Sequence, residues 1–337
     1  MMPLVSILVP VYQVEDCIER CARSLFGQSY DNLEYVFVDD ASTDDSMQIL
    51  HQVARDFPHR LPYTKIVRHD HNRGLAASRN TAVAACTGEF ICHVDADDWM
   101  ELNGVELLVN CQLHTNADIV TGQAYNHTTE FLTTEGKYSG WDLSREELLA
   151  SILQYKASTS LWRRIIRKSL YTDHNIQADV GGSGGEDYQV LPRLLYYANK
   201  IAGIEERIYH YNLYNQHSIT NNLSISLDIQ KQGYNSVCVI ADFFANKEQQ
   251  WKKLIQGLKI RHLYLRMKQN QKWGNLRGYI FFRDQLLSTD SSEWHFIKWD
   301  SVIVRYIDTH YTLLQLFSPI IDTFFLCKSI AYRIVKE

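Results

Sequence analysis

The stretch Glu89-Phe-Ile-Cys-His-Val-Asp-Ala-Asp-Asp-Trp-Met100 constrains this chain more than any other. Phe90, Ile91, Cys92 and Val94 form a near-continuous apolar run, the pattern of a strand covered on both faces in a parallel sheet. Asp95, Asp97 and Asp98 then crowd negative charge at the strand's carboxyl end, where open α/β sheets place their ligands. Such a cluster repels itself unless a cation sits in it. All-oxygen ligation favours Mg²⁺ or Mn²⁺, which bind few carboxylates and fill their shells from phosphate and water. The competing reading is a solvated acidic turn, with Asp97 or Asp98 capping a helix that opens at Trp99.

The flanking sequence supplies a sheet for that strand. Val5 to Val11 reads as a first strand, and Ile18, Cys21, Ala22 and Leu25 mark the buried stripe of a helix. Leu33 to Asp39 is a second strand ending in Asp39-Asp40-Ala-Ser-Thr-Asp-Asp45, where Ser42 and Thr43 can cap the next helix. Tyr63 to Arg68 is a third. A polar loop, Asn72-Arg-Gly74, then leads into an Ala-rich helix stopped at Gly88. Asp118 to Ala124 is a fifth strand, followed by a polar excursion from Asn126 to Tyr138. Alternating strands and helices mean βαβ units, and three strands ending in polar or acidic loops on one edge mark a site.

Farther on, Ser144-Arg-Glu-Glu147 is a capping box, and Leu161 to Lys168 reads as a strand whose bases face something acidic. Gly181-Gly-Ser-Gly-Gly-Glu-Asp187 combines a glycine-rich backbone with two acids opening a helix that runs to about Asn199. The architecture expected is α/β: a mostly parallel central sheet with flanking helices over 1–222, and a mainly helical region over 223–337.

Charge divides along the same line. Residues 1–222 carry a net −11 and residues 223–337 a net +6. The basic residues are scattered, which excludes a nucleic-acid surface and fits an anionic surface or ligand. Seven cysteines without CxxC or zinc-like spacing point to reduced thiols and a cytoplasmic setting, and the segment before the first strand is too short for a signal peptide. From Leu313 to Val335 the chain is apolar, but Asp322, Lys328, Arg333 and Pro319 interrupt it. It is expected to lie on a surface, either the catalytic domain or the inner face of a membrane as a peripheral contact.

Taken together, Val5-Ser-Ile-Leu-Val-Pro-Val-Tyr12, Val38-Asp-Asp-Ala-Ser-Thr-Asp44, Asn72-Arg-Gly-Leu-Ala-Ala-Ser-Arg-Asn80, Asp95-Ala-Asp-Asp98 and Gly185-Glu-Asp187 resemble the family 2 glycosyltransferases in order and spacing. The resemblance covers residues 3 to 220. It implies a GT-A (Rossmann-like) fold that binds a nucleotide-sugar donor and transfers the sugar with inversion to a saccharide or lipid-linked acceptor. By the same resemblance Pro10 and Tyr12 line the base pocket, Asp40 and less directly Asp39 meet the base, and Arg73 and Arg79 face the nucleotide. Asp95 faces the ribose, and Asp97, Asp98 and His217 are the metal-ligand candidates for Mn²⁺ or Mg²⁺. Asp187 matches the general base, with Glu186 orienting it or the acceptor. Two alternatives stand beside this: a nucleotidyltransferase, opposed by the absence of glycine in Pro10-Val-Tyr-Gln-Val-Glu-Asp16, and an inactive nucleotide-sugar-binding protein, opposed by the intact acids.

Overall fold

The structure, a computed structural model, describes residues 2–127, 132–134, 140–180, 185–213, 226–255 and 257–289. The chain divides into two units, Met1–Ser218 and Ile219–Glu337.

The first unit is built as the apolar runs dictate. Strands β1 (Val5–Val11), β2 (Leu33–Asp39), β3 (Thr64–Arg68) and β4 (Phe90–His93) alternate with helices α1 (Ile18–Phe26), α2 (Ser46–Arg55) and α3 (Leu75–Ala85). All seven residues of β2 and all four of β4 are buried, as expected of strands covered on both faces. These four strands pair in parallel in the order β3-β2-β1-β4. Their carboxyl ends therefore share one edge, and Asp39, Asp40 and the Asp95–Asp98 turn all lie on it.

Beyond β4 the sheet becomes mixed. It continues through β8 (Arg164–Arg167), β6 (Ile119–His127), β9 (Ile201–Asn212) and β5 (Trp99–Met100), with β7 (Leu132–Thr134) pairing β6 off this path. β8 runs antiparallel to both β4 and β6, which restores β6 and its parallel neighbour β9 to the direction of β4. The ends of β6 and β9 thus reach the same edge as Asp95. Helices α4 (Gly104–Thr115), α5 (Arg145–Leu153), α6 (Ser169–Thr172) and α7 (Glu186–Tyr197) complete this unit, and α5 opens with the expected Ser144–Glu147 capping box.

Several local expectations are corrected. No helix opens at Trp99; the acidic turn leads into β5, where Trp99 pairs with His210 of β9. Ser42 and Thr43 do not cap α2, which starts at Ser46 after Asp45. Ser42 instead donates its amide to the Asp39 carboxylate at 2.8 Å, closing a side-chain turn at the strand exit. Gly88 is not the helix stop, because α3 ends at Ala85. A Cβ at Gly88 would meet the Ser6 hydroxyl at 2.4 Å and the Ser6 amide at 2.8 Å, so glycine is needed there for close approach to β1.

The second unit is helical as expected: α8 (Leu227–Phe244), α9 (Gln249–Ile255), α10 (Leu258–Trp273) and α11 (Leu276–Leu287). Its core is Ile260, Leu263, Tyr264 and Met267 of α10 against Tyr279, Phe282 and Leu286 of α11. No described helix is long and apolar enough to cross a membrane. The Leu313–Val335 tail, Cys327, Gly181–Gly184 and His217 lie outside the described residues.

Candidate functional site

At the ends of β1 and β2, Tyr12 is 42 % exposed and Pro10 half-buried, so both face the open edge. Gln13 and Ala41, which leave these two strands, adopt positive φ of 51° and 60°, a strained exit often found at binding sites. The acids beside them are turned inward. Asp39 is 1 % exposed, accepting from the Ser42 amide and pairing with Arg68 Nε at 3.3 Å.

Asp40, expected to meet a nucleobase, is 3 % exposed and already occupied. Its Oδ1 accepts from the Arg73 amide at 2.8 Å and lies 2.6 Å from His69 Nδ1, while Oδ2 accepts from the Gly74 amide at 2.8 Å. Asp40 thereby ties the Asn72–Gly74 loop to the sheet. The loop depends on Gly74, whose φ of 85° with ψ of 166° is open only to glycine. Arg73 stays exposed on this loop.

Arg79 is the second arginine expected to face the nucleotide. It is buried in α3, and its Nη2 donates to Asp95 at 2.7 Å while Nη1 pairs with Glu186 at 3.1 Å and with Asp187. Residues 79, 95 and 186–187, far apart in sequence, therefore meet in one cluster of three carboxylates around one guanidinium. Burial disfavours the cation, but Asp187, Asp95 and Glu186 outweigh it and hold Arg79 well above its ordinary pKa. One cation cannot neutralise three acids. Burial first, and then Glu186 and Asp95, push Asp187 up to about 7 against the pull of Arg79 and of the Leu161 amide. Glu186 and Asp187 open α7 just after Gly185, whose φ of 82° turns the chain into the helix.

The three acids of the Asp95–Asp98 turn have three different surroundings. Asp95 is bound to Arg79. Asp98 is 1 % exposed, accepting from the Tyr209 hydroxyl at 2.7 Å and from the Asn212 amide at 2.8 Å. Both of its oxygens accept from residues of β9. Asp97 remains half-buried at the turn, its carbonyl accepting from Asn212 Nδ2 at 3.2 Å. Among the described residues no three His, Cys, Asp or Glu side chains converge into a ready metal shell. One carboxylate can still suit Mg²⁺ or Mn²⁺ where the other ligands come from a phosphate-bearing ligand and water.

Sequence reasoning missed Tyr209 and Asn212, whose only signal was a polar end to an otherwise strand-like run. Tyr209 donates to Asp98 while its oxygen accepts from the Asp95 amide at 3.1 Å, pinning both ends of the acidic turn. Tyr209→Phe is expected to cost about 1–3 kcal/mol by leaving a buried carboxylate short of a donor. A denaturant midpoint equal to the parent's would refute this role.

Comparison with known proteins places this geometry. The model of glycosyl transferase family 2 matches residues 6–173. The Bacillus subtilis protein EpsH is 30 % identical over 221 residues, 63 % of this chain and 61 % of EpsH. Glycosyltransferase GlyA of Streptococcus pneumoniae is 27 % identical over 62 % of this chain, but only 30 % of GlyA is spanned. In structure, Staphylococcus aureus TarS in complex with UDP-GlcNAc superposes with a TM-score of 0.65 at 18 % identity, over 84 % of this chain and 83 % of that one. The mannosyltransferase PcManGT of Pyrobaculum calidifontis, in complex with GDP-Man and Mn²⁺, gives 0.57 at 15 % identity over 99 % and 87 %. The family model, the curated glycosyltransferase relatives and the shared GT-A-like fold agree, and this chain belongs to glycosyl transferase family 2.

Proposed function

We propose that the protein transfers a sugar, with inversion, from a UDP-linked donor to a hydroxyl of a saccharide or lipid-linked acceptor, in building a bacterial surface polysaccharide at the cytoplasmic face of the membrane. The observation that carries this is a carboxylate of near-neutral basicity, Asp187, brought to the same sheet edge as Asp95 and Asp97. A transferase of this kind needs a base for the incoming hydroxyl and charge stabilisation for the departing diphosphate. The TarS complex with UDP-GlcNAc and the PcManGT complex with GDP-Man and Mn²⁺ support donor and metal by likeness of fold.

Each side chain then has a task. Tyr12 and Pro10 bound the nucleobase, and the Asn72–Gly74 loop, held by Asp40, carries Arg73 toward the nucleotide. Asp95 accepts from the ribose, and Arg79 holds Asp95 and Asp187 at a fixed separation. Asp97 would hold the divalent cation, which when bound neutralises charge growing on the diphosphate. Asp187 takes the proton of the acceptor hydroxyl as its oxygen attacks the anomeric carbon from the face opposite the leaving group; Glu186 orients the acceptor. A panel of sugar nucleotides assayed for nucleotide release with and without Mn²⁺ tests the proposal. Metal-dependent release from one donor is expected; binding without release from any donor would leave the inactive binding protein as the reading.

A further inference from the structure

Arg164 begins β8 with its side chain fully buried, though no step above uses it. Its Nη1 donates to the Ser160 carbonyl and, at 3.4 Å, to the Ser160 hydroxyl. The N–H of the same peptide unit, on Leu161, donates to Asp187 Oδ2 at 3.3 Å. Ser158 fixes this turn: its hydroxyl accepts from the Ser160 amide at 3.3 Å and lies 3.0 Å from the Ser160 hydroxyl. One peptide plane thus has a guanidinium at its carbonyl end and the candidate base at its N–H end. Hydrogen bonds in such a chain polarise one another in a low-dielectric interior.

Keeping a cation there is costly. Among the described residues, Arg164 Nε and Nη2 make no hydrogen bond, and burial lowers the guanidinium to about 10. An apolar side chain of similar volume would fill the space at lower cost. We propose that Arg164, acting through the Ser160–Leu161 peptide, is a positioning residue that fixes the orientation and basicity of Asp187. The charged and titratable groups facing Asp187 are Arg79 of α3, Asp95 after β4, Glu186 of α7, Arg164 of β8 and Tyr171 of α6. Arg79 is divided among three acids, whereas the acid that acts on Arg164 is Asp187. Arg164 therefore favours the carboxylate form, and its loss makes Asp187 harder to ionise. The consequence for turnover rests on Asp187 being the base.

The test reads the proton directly. The full chain is labelled with aspartate carrying ¹³C at the side-chain carboxyl, and the Asp187 signal is identified by its absence in Asp187→Asn. The parent should titrate near the value of about 7 given by its surroundings. Arg164→Met should move the midpoint up by roughly one unit, the scale of one neighbouring cation. Arg164→Lys, which keeps the charge, should stay near the parent, and Arg164→Gln, which keeps a donor without charge, should titrate above the Lys variant. If the Met variant does not fold, the Lys and Gln pair still decides, because equal midpoints overturn the proposal. Unchanged midpoints with turnover lost in Asp187→Asn would sink this device alone. Shifted midpoints with full turnover in Asp187→Asn would sink only the assignment of the base.

Discussion

Asp187→Asn is expected to lower kcat by roughly 10²–10⁴, the usual contribution of general-base catalysis, while donor binding changes little. The amide preserves the size of the side chain and can still accept from the Leu161 amide, so the opening turn of α7 should survive. What it cannot do is take a proton. The base acts in the transition state, so the loss belongs in kcat and not in the ground-state affinity for donor. The pH dependence carries the sign. Asp187 is raised, so it is protonated and inactive as a base below about 7 and ionised above. In the parent, kcat/KM should fall about tenfold per pH unit once below that midpoint. The variant should lose this limb. Circular dichroism matching the parent's, together with nucleotide release across pH 5.5–8.5 on the donor found by panel, checks both halves. Near-parent turnover would move the role to Glu186, the next carboxylate along the helix.

What could be seen in the sequence, and what could not, follows from how each signal is encoded. β1, β2 and β4 were legible because strands covered on both faces leave apolar runs, and after β2 and β4 acids break those runs abruptly. Spacing also singled out Asp95, Asp97 and Asp187 as candidates. Direction was not encoded. Asp40 and Asp98 have the same side chain as Asp95, yet one is spent on the Arg73 and Gly74 amides and the other on Tyr209 and Asn212. Whether a carboxylate faces a ligand or its own backbone depends on partners 33 to 114 positions away.

The same limit hid the hub at Arg79. A helix interior showing one arginine among alanines reads as nucleotide-facing by family resemblance, and nothing local announces that its guanidinium meets acids 16 and 108 positions later. Likewise Trp99 looked like the first turn of a helix because acids commonly cap helices. The long strand β9 offered it a pairing partner in His210, and Asp98 docked on that same strand, so tertiary pairing overrode the local signal.

Asp97→Ala is expected to abolish the metal dependence of nucleotide binding and to lower turnover by about 10³, several kcal/mol of lost charge stabilisation at the leaving diphosphate. The expectation rests on the proposed function, in which Asp97 matches the family's metal ligand and shares a cation with phosphate oxygens and water. Calorimetry with UDP separates this from damage to the pocket. In the parent, Mn²⁺ should tighten UDP binding; in the variant, affinity with Mn²⁺ should equal affinity without it, and the metal-free affinity should match the parent's. The crowding of the turn supplies a second sign. Removing one of three neighbouring negative charges relieves repulsion among groups that are partly or fully buried, so the variant should be at least as stable as the parent without metal. Metal-enhanced binding that survives in the variant would transfer the ligand role to another residue. A variant less stable than the parent would mean that Asp97 holds the turn instead of the ion.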